Sequence, residues 1–374
     1  MAGSGPRELH SGTVIFLDHA AGEPVRPQLV ARYAEYAARY CHNPHGLTCY
    51  SERSRRALLD ARERLLDAAQ IPSGEAEVVW CASGTEAVNL ALRGYCWKDP
   101  RGAIAADAAA HPALRNTAAD LGGHPVEFFL PSRNAQMPRA ELAAISLVNN
   151  ETGAIWGGGE RHPGTRLFLD AAQAFGKIPI PWQCGQVDML AISGRKIGAL
   201  PSSAALIVRR ATIGALRPVL TGGGQQHGWR SGTVDVPSAV LFADAAQLAA
   251  AECEAAGRRT AALNRRLRDG INELGQGQWP IFSPPDASPY ILAFAIPGFE
   301  GALITRILAQ DCGIVVGAGS ACSAESHETS PALRASGVAD ALARGMIRVS
   351  FGAENTPEDV EALLLALPQV LKNY

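Results

Sequence analysis

The sequence predicts an α/β fold, a mainly parallel seven-stranded-type sheet flanked by helices, with a smaller α+β domain at the C-terminal side. Between about residues 75 and 210, short apolar runs alternate with helix-like segments, a pattern typical of a parallel sheet covered by helices. A long alanine- and leucine-rich segment, residues 238–274, follows. We therefore predict a large domain at residues 15–245 and a small domain at residues 246–374, with residues 1–14 as a possible addition to the small one.

The elements of the large domain follow from local pattern. Residues 51–66 carry arginines beside apolar residues at helical spacing, so we predict an amphipathic helix with a solvated charged face. The predicted strands are EVVWCAS, GAIAAD, LAAISLVNN, RLFLDAA, DMLAISG and SAALIVRR, and the predicted helices are TEAVNLALRGYCW and HPALRNTAADLG. Residues 151–165 contain WGGGERHPG, which leaves little room for a helix, so we predict a loop there.

The elements of the small domain begin after one long helix over residues 238–274, in which Gly257 is almost the only breaker. We predict strands at YILAFAIPG and MIRVSFG and a helix at GALITRILAQDC. A closing helix should begin at Thr356-Pro357, because a capping residue is followed by proline in the first turn.

Composition limits the possible functions. The 374 residues are 47% hydrophobic and 19% charged, which is typical of a globular protein. The formal charge of -2, with both signs intermingled, gives no overall field that would attract nucleic acid or an anionic membrane. The N-terminus has no signal-peptide or transit-peptide pattern, and no apolar run reaches about 18 residues. We expect a cytoplasmic protein without direct nucleic-acid or membrane binding.

Cysteine spacing argues against structural metal or disulfide frameworks. The eight cysteines form no C-x-x-C pair and no set of close, even spacings, so we expect reduced thiols. Cys41, His42 and His45 lie close together but lack a second ligand cluster, and we predict no metal site. Cys322, in VVGAGSACSAES, is either a nucleophile on a loop or an ordinary thiol, and its local sequence alone leaves both open.

Polar residues at predicted strand ends indicate a cofactor. Ser83, Gly84 and Thr85 lie between a strand and a helix, where backbone N–H groups suit a phosphate; a plain helix cap is the alternative. Asp170 and Lys196 each close an apolar strand, at the edge where open α/β folds bind ligands. Pyridoxal 5'-phosphate requires this combination, because it takes a lysine Schiff base, an aspartate at its pyridinium nitrogen and a helix N-terminus at its phosphate.

Ten motifs in order then identify a family resemblance covering about residues 15 to 369. The motifs are LDHAAGEPVRP, NPHG, SGTEAVNLAL, HPAL, VNNETG, LDAAQAFGK, SGRK, GGGQQHGWRSGT, GSACS and IRVSFG. Together they resemble the cysteine desulfurases, the NifS/IscS-like branch of the class V aminotransferases, which are fold-type I pyridoxal-phosphate enzymes. The resemblance implies that the large domain binds the cofactor and that the small domain carries the catalytic-cysteine loop.

The resemblance also implies roles for individual residues. It implies that Lys196 is the Schiff-base lysine, that Cys322 accepts the sulfur, and that His111 stacks on the cofactor and moves protons. It implies that Asn150 and Arg348 position the substrate, Arg348 with the two-pronged geometry that suits a carboxylate. The residues implied to bind the cofactor are Ser83, Gly84, Thr85, His111, Asn150, Asp170, Gln173, Ser193, Arg195, Lys196 and Thr233, the last reaching the phosphate of a neighbouring subunit in a homodimer. Structural alternatives exist for single residues, since His111 could begin a helix, Asn150 could end a strand and Arg348 could pair with an acid.

The implied activity is conversion of L-cysteine to L-alanine, with the sulfur held on Cys322 as a persulfide. A sulfur-acceptor protein, a scaffold or a sulfur carrier, would then receive it for iron–sulfur cluster assembly or for tRNA or cofactor thiolation. Two alternatives stay open. One is a selenocysteine lyase or another pyridoxal-phosphate lyase, in which Cys322 is dispensable. The other is a catalytically weak, partner-binding homologue, suggested because HAAGEP replaces the family's usual NAATTP at residues 19–24 and because IGALPSSAALIV, after Lys196, keeps only part of the family's usual glycine-rich turn. Arg195 also replaces a usual histidine, and it still offers a cationic donor to phosphate.

Overall fold

The computed structural model describes residues 14–97, 101–131, 136–183, 186–319 and 330–372. Its contacts divide the chain into two compact units. We call residues 22–150 and 154–257 the sheet unit, and residues 1–21, 151–153 and 258–374 the terminal unit. Among the helices described, none is both long and apolar enough to cross a membrane.

The secondary-structure elements are numbered in chain order. The strands are β1 (Ile15–Phe16), β2 (Ala76–Cys81), β3 (Ile104–Asp107), β4 (Val126–Phe129), β5 (Leu142–Ser146), β6 (Arg166–Asp170), β7 (Met189–Ser193), β8 (Ala204–Arg209), β9 (Ile291–Ala295), β10 (Ile314–Val315) and β11 (Met346–Ser350). The helices are α1 (Pro27–Arg39), α2 (Cys49–Ala68), α3 (Gly84–Cys96), α4 (Pro112–Ala119), α5 (Arg210–Ile213), α6 (Val236–Leu274), α7 (Gly301–Asp311), α8 (Pro331–Ala335), α9 (Asp340–Ala343) and α10 (Pro357–Lys372). Short 3-10 turns occupy Gly194–Lys196 and Gln226–Gly228.

The sheet unit contains a seven-stranded sheet in the order β2-β8-β7-β6-β5-β3-β4, which confirms the predicted α/β fold. All neighbouring pairs are parallel except the two that involve β8. Strands β5 and β7 are buried at every position, as expected for central strands covered on both faces. The predicted loop at residues 151–165 is confirmed, since no helix forms there. Edge strand β4 was not predicted.

The terminal unit contains two small sheets and the predicted helices at residues 301–311 and 357–372. Strands β9 and β11 are antiparallel, with Arg348 opposite Ala293, and β1 pairs in parallel with β10. Its apolar core includes Phe294, Ile347 and Leu363, all fully buried. The predicted long helix is confirmed as α6, which contains the predicted domain boundary at residues 245/246; that boundary stays a prediction.

Candidate active site

The carboxyl ends of six strands of the sheet unit lie at one edge of the sheet. Strands β3 to β7 are parallel neighbours, so their carboxyl ends point the same way. Strand β2 has the same direction as β7, because each is antiparallel to β8. Cys81 and Ser193, the last residues of β2 and β7, both pair with Ala204 and are therefore level. This edge is where open α/β sheets bind ligands.

Helix α3 begins at this edge with a reciprocal cap. Ser83 Oγ accepts the backbone N–H of Glu86 at 3.1 Å, and Glu86 Oε2 accepts the backbone N–H of Ala82 at 2.7 Å. A Cβ built on Gly84 would lie 3.5 Å from Ser193 Cβ, so the helix start adjoins the end of β7. The predicted alternative of a plain cap is therefore present, and it is compatible with anion binding because the Ser83 hydroxyl hydrogen can still be donated. Thr85 is exposed.

The loop that carries Thr233 is tied to the same helix start. Arg230 Nε donates to Glu86 Oε1 at 2.7 Å, and the two side chains are only 18% and 20% exposed. Thr233 itself is exposed, and it lines a cavity of about 130 Å³ together with Arg230 and Ala82. The Glu86 carboxylate thus binds both the N-terminus of α3 and the loop that carries Thr233.

Asp170 ends β6 in the middle of the edge, where it pairs with Ser146 of β5 and Ala191 of β7. Its Oδ1 accepts the backbone N–H of Ala172 at 3.0 Å. Burial raises the pKa of the Asp170 carboxyl, while the Ala172 N–H and the nearby His111 and Lys196 oppose that rise. The predicted pair of aspartate and lysine is therefore brought within electrostatic reach.

His111 is the N-cap of α4, as the structural alternative predicted. Its Nδ1 accepts the backbone N–H of Ala113 at 3.1 Å, so the proton of the neutral ring resides on Nε2. Its charged form also influences the Asp170 carboxyl. Capping thus fixes the ring orientation without removing the Nε2–H from possible chemistry.

Lys196 lies in the short turn that follows β7. Gly194 has no room for a side chain, because a Cβ there would lie 2.8 Å from Phe242 Cδ2 and would collide with Ser203. Gly194 N–H donates to Ser203 O at 2.8 Å, and Ile197 N–H returns to Gly194 O at 3.0 Å. The turn is therefore closely constrained. The other predicted residues of this unit differ in exposure: Asn150, Gln173 and Ser193 are buried, and Arg195 is exposed.

Asp107, which sequence reasoning missed, also belongs to this edge. It ends β3, and its carboxylate accepts the N–H of Ala109 at 2.8 Å and of Ser146 at 3.2 Å. The Asn149 side chain donates to Ala109 O at 2.8 Å. These bonds fix the turn that leads to His111. The sequence did contain a signal that places Asp107 at this edge, because Asp107 ends the apolar run GAIAAD just as Asp170 ends RLFLD.

Asp107 also makes a pH-dependent contribution to stability. Burial raises its pKa to about 6, helped by the negative charge of Asp170. Because the folded state then binds the proton more tightly than the unfolded chain, stability is lost as pH rises through about 6, by about 3 kcal/mol. We expect Asp107→Asn to flatten the fall of the free energy of unfolding between pH 4 and 7, measured by urea denaturation. Identical slopes for both proteins would contradict this assignment.

Arg348 lies in the terminal unit and is 2% exposed. Its guanidinium donates to Asp18 Oδ1 at 2.7 Å, so the alternative of pairing with an acid is also present. Its backbone exchanges two hydrogen bonds with Gly317, of 2.9 and 2.6 Å. A Cβ on Gly317 would lie 2.8 Å from Asp18 Oδ1 and 3.0 Å from the Arg348 NH2 group, so a side chain there would have to displace this pair. Arg348 is thus held beside Gly317, which precedes Cys322 in the sequence.

Cys322 lies outside the described residues, as does the rest of residues 320–329. On the C-terminal side of that segment, Ser330 hydrogen-bonds to the buried Glu151 and caps α8. His19, which replaces the usual asparagine of NAATTP, is 4% exposed and packs against Gly352, where a Cβ would collide with its ring. Within the described residues, no group of three or more His, Cys, Asp or Glu side chains is placed to hold a metal ion.

The comparison with protein families decides the classification. The profile described as aminotransferase class-V matches residues 15–363. The chain belongs to this family. Its members use pyridoxal phosphate in general.

Relatives place the chain among the cysteine desulfurases of the class-V aminotransferases. It is 33% identical to a cysteine desulfurase of Gluconacetobacter diazotrophicus, over 96% of this chain and 93% of that protein. It is 32% identical to an IscS-like cysteine desulfurase of Mycobacterium tuberculosis, over 94% and 95% of the two chains. A solved NifS-like protein shares the fold, with a TM-score of 0.85, 23% identity and coverage of 97% and 100%. The predicted resemblance to NifS/IscS-like cysteine desulfurases is confirmed.

The sheet-edge residues of this class-V aminotransferase fit pyridoxal phosphate by the chemistry of their donor groups. The α3 N-terminus and the hydroxyls of Ser83 and Ser193 supply donors suited to a phosphate. Asp170 supplies a carboxylate that can accept a pyridinium N–H, and Lys196 supplies the amine. The carboxylate acceptor, the donors for the phosphate and the lysine amine therefore all lie at one edge of one sheet.

Proposed function

We propose that this chain is a pyridoxal-phosphate cysteine desulfurase that converts L-cysteine to L-alanine and holds the released sulfur on Cys322 as a persulfide. The observation that carries the proposal is the Asp170 carboxyl at the sheet edge, under the electrostatic influence of both His111 and Lys196. A buried carboxylate is costly unless a cationic partner offsets the loss of water. A protonated ring nitrogen meets that requirement.

We assign the cofactor contacts to the sheet unit. Ser83, Gly84 and Thr85 at the α3 N-terminus would hold the phosphate, together with Ser193 and the exposed cation Arg195. Gln173 would donate to the phenolic oxygen, and Asn150 would contact cofactor and substrate. The large domain of residues 15–245 is thus the proposed cofactor domain, and residues 246–374 carry the segment with Cys322.

The reacting groups are Lys196, His111 and Asp170. When bound, pyridoxal phosphate accepts the electron pair released at the substrate α-carbon. The Asp170 carboxylate would keep the proton on the ring nitrogen, and the Lys196 amine would take the α-proton once it is free. The His111 ring, held by Ala113, would stack on the ring face and offer its Nε2–H. The tight turn at Gly194 restricts the backbone positions, and therefore the directions, from which the Lys196 side chain can approach the cofactor.

Sulfur transfer would use the thiolate of Cys322, since the thiolate is the reactive form. The substrate Cβ–S bond breaks as a new S–S bond forms on Cys322. The electron pair of the broken bond stays on carbon, which takes a proton and becomes the methyl group of alanine. The outer persulfide sulfur then passes to a thiol of an acceptor protein, a scaffold or sulfur carrier.

Arg348 would bind the substrate carboxylate, and we expect Arg348→Lys to raise the KM for cysteine by at least about tenfold. A lysine offers a point charge and loses the two-pronged geometry that a guanidinium presents to a carboxylate. The measurement is a steady-state KM together with the visible absorption of the bound cofactor, which should be unchanged. Arg266→Lys is the matched control, because Arg266 pairs with Glu361 in the same unit at an exposed site. An unchanged KM in Arg348→Lys would contradict the assignment.

We propose a homodimer in which Thr233 reaches the phosphate of the second copy. The exposure of Thr233, and the tie from Arg230 to Glu86 at the α3 N-terminus, support this role. A molar mass equal to one chain, measured by light scattering, would exclude it.

The test of the proposed function is a direct assay of the wild-type protein. Protein saturated with pyridoxal phosphate should show a visible absorption band that survives gel filtration, and should form alanine and sulfide from L-cysteine and a thiol reductant. D-Cysteine is the control for specific binding, since it presents its α-hydrogen on the opposite face. A protein that neither retains the band nor forms alanine would refute the proposal.

A further inference from the structure

The segment Gly22–Arg26 runs along the turn that contains Lys196, and we call it the strap. Glu23 N–H donates to Arg195 O at 3.0 Å, and Arg26 N–H donates to Gly198 O at 3.0 Å. The Arg26 side chain donates through Nε to Ile197 O at 3.1 Å. The strap therefore bonds the backbone on both sides of Lys196.

Arg26 is itself held by helix α6. Its NH1 group contacts both carboxylate oxygens of Glu252, at 3.0 and 2.9 Å. The Arg26 side chain is 18% exposed and that of Glu252 is 44% exposed. One guanidinium thus bridges α6 and the carbonyl next to Lys196, and charge-assisted hydrogen bonds of this kind are stronger than neutral ones.

Two glycines allow the close approach of the strap. A Cβ on Gly22 would lie 2.8 Å from Arg195 Nε, so the Arg195 guanidinium lies over a residue without a side chain. A Cβ on Gly198 would lie 2.7 Å from Arg26 Cγ and 3.1 Å from Pro24 O, and Gly198 has a φ of +78°. Gly22 and Arg195, two departures from the usual family pattern, are thus in contact with each other.

The strap also reaches the turn that follows Asp170. Burial lowers the pKa of the Lys177 ammonium, and the charge of Glu23 opposes that shift. A Cβ on Gly176 would lie 3.2 Å from Ile197 Cγ2, so the two turns pack directly. The strap, the turn with Lys196 and the turn after Asp170 form one packed group.

We propose that the strap positions Lys196 for its reaction, with Arg26 as the positioning residue. The inference rests on the proposed function, because it takes Lys196 to be the cofactor-binding lysine. The proposed action of Arg26 is indirect, through its hydrogen bond to the Ile197 carbonyl. Its removal should therefore change how the lysine holds the cofactor more than it changes the stability of the fold.

The experiment compares Arg26→Ala with Arg32→Ala. Arg32 also pairs with a carboxylate of α6, Asp244, at 3.0 Å, but within the described residues its hydrogen bonds do not include residues 195–198, so it is a matched control. We expect Arg26→Ala to raise the Kd for pyridoxal phosphate about tenfold and to shift the pH midpoint of the visible band. Arg32→Ala should leave both within twofold.

A charge exchange separates positioning from simple stability. In the double variant Arg26→Glu with Glu252→Arg, the ion pair can re-form, but residue 26 no longer has an Nε–H to donate to Ile197 O. We expect the thermal midpoint to return toward the wild-type value while the Kd stays raised. A restored Kd, or equal losses in Arg26→Ala and Arg32→Ala, would overturn the strap proposal. Wild-type protein without a visible band would instead overturn the proposed function and the strap with it.

Discussion

Replacing Lys196 with alanine should abolish alanine formation from L-cysteine, with a loss of at least about 10³-fold. The amine is proposed both to hold the cofactor covalently and to take the α-proton, so one substitution removes two functions. Its turn is constrained at Gly194 and by the strap. The assay is alanine release with the visible spectrum recorded on the same sample.

The control for this prediction is Lys196→Arg. It keeps the positive charge beside Asp170, but a guanidinium stays protonated and can neither form the Schiff base nor accept a proton. Both variants should therefore be inactive and should lack the lysine-bound absorption band. Activity in Lys196→Arg would show that Lys196 acts only through its charge, and would refute the proposed role.

Replacing Cys322 with alanine should reduce sulfide and alanine release by about 10²-fold or more while the visible cofactor band is retained. The thiols inside the fold are poor substitutes, because burial raises their pKa and thereby lowers the thiolate fraction. This holds for Cys81, Cys96, Cys253 and Cys312, with Cys96 raised to about 12. Mass spectrometry after exposure to cysteine should find the added sulfur on Cys322.

Cys41 and Cys49 provide the controls, since both are exposed free thiols. Cys41→Ala and Cys49→Ala should keep wild-type rates and should still carry the persulfide on Cys322. Full alanine release in Cys322→Ala, with no persulfide on another cysteine, would favour a lyase in which Cys322 is dispensable. A persulfide mapped to Cys41 would instead mean that a different thiol accepts the sulfur, and either result would refute the role of Cys322.

The α/β fold could be predicted because its central strands are near-continuous apolar runs, and burial on both faces leaves a clear sequence signal. Strand β4 was missed because Val126–Phe129 is a four-residue edge strand with partly exposed side chains. Strand β1 has only two residues and exists through its pairing with β10, a partner about 300 residues away in sequence. Local pattern cannot reveal such a pairing.

The candidate active site, too, could be predicted only in part from the sequence. Asp170 could be predicted because it ends the apolar strand β6, and Lys196 because it lies in the turn directly after the apolar strand β7. Both positions are at the sheet edge. The pairing of Arg348 with Asp18 and the bond from Arg26 to Ile197 O could not, because both join distant segments through side-chain geometry. Asp107 also ends an apolar run, as Asp170 does, but the sequence argument needed only one carboxylate, for the pyridinium nitrogen of the cofactor.

The pairing of β1 with β10 has a consequence for synthesis on the ribosome. Leu17 N–H bonds to Val315 O, and Asp18 pairs with Arg348 across 330 residues of sequence. Residues 15–18 must therefore wait for partners that are translated near the end of the chain. The sheet unit, complete by residue 257, has no such delay, and domains generally fold as units during translation. We expect a nascent chain to form the turn that contains Lys196 before the ion pair between Arg348 and Asp18 can form.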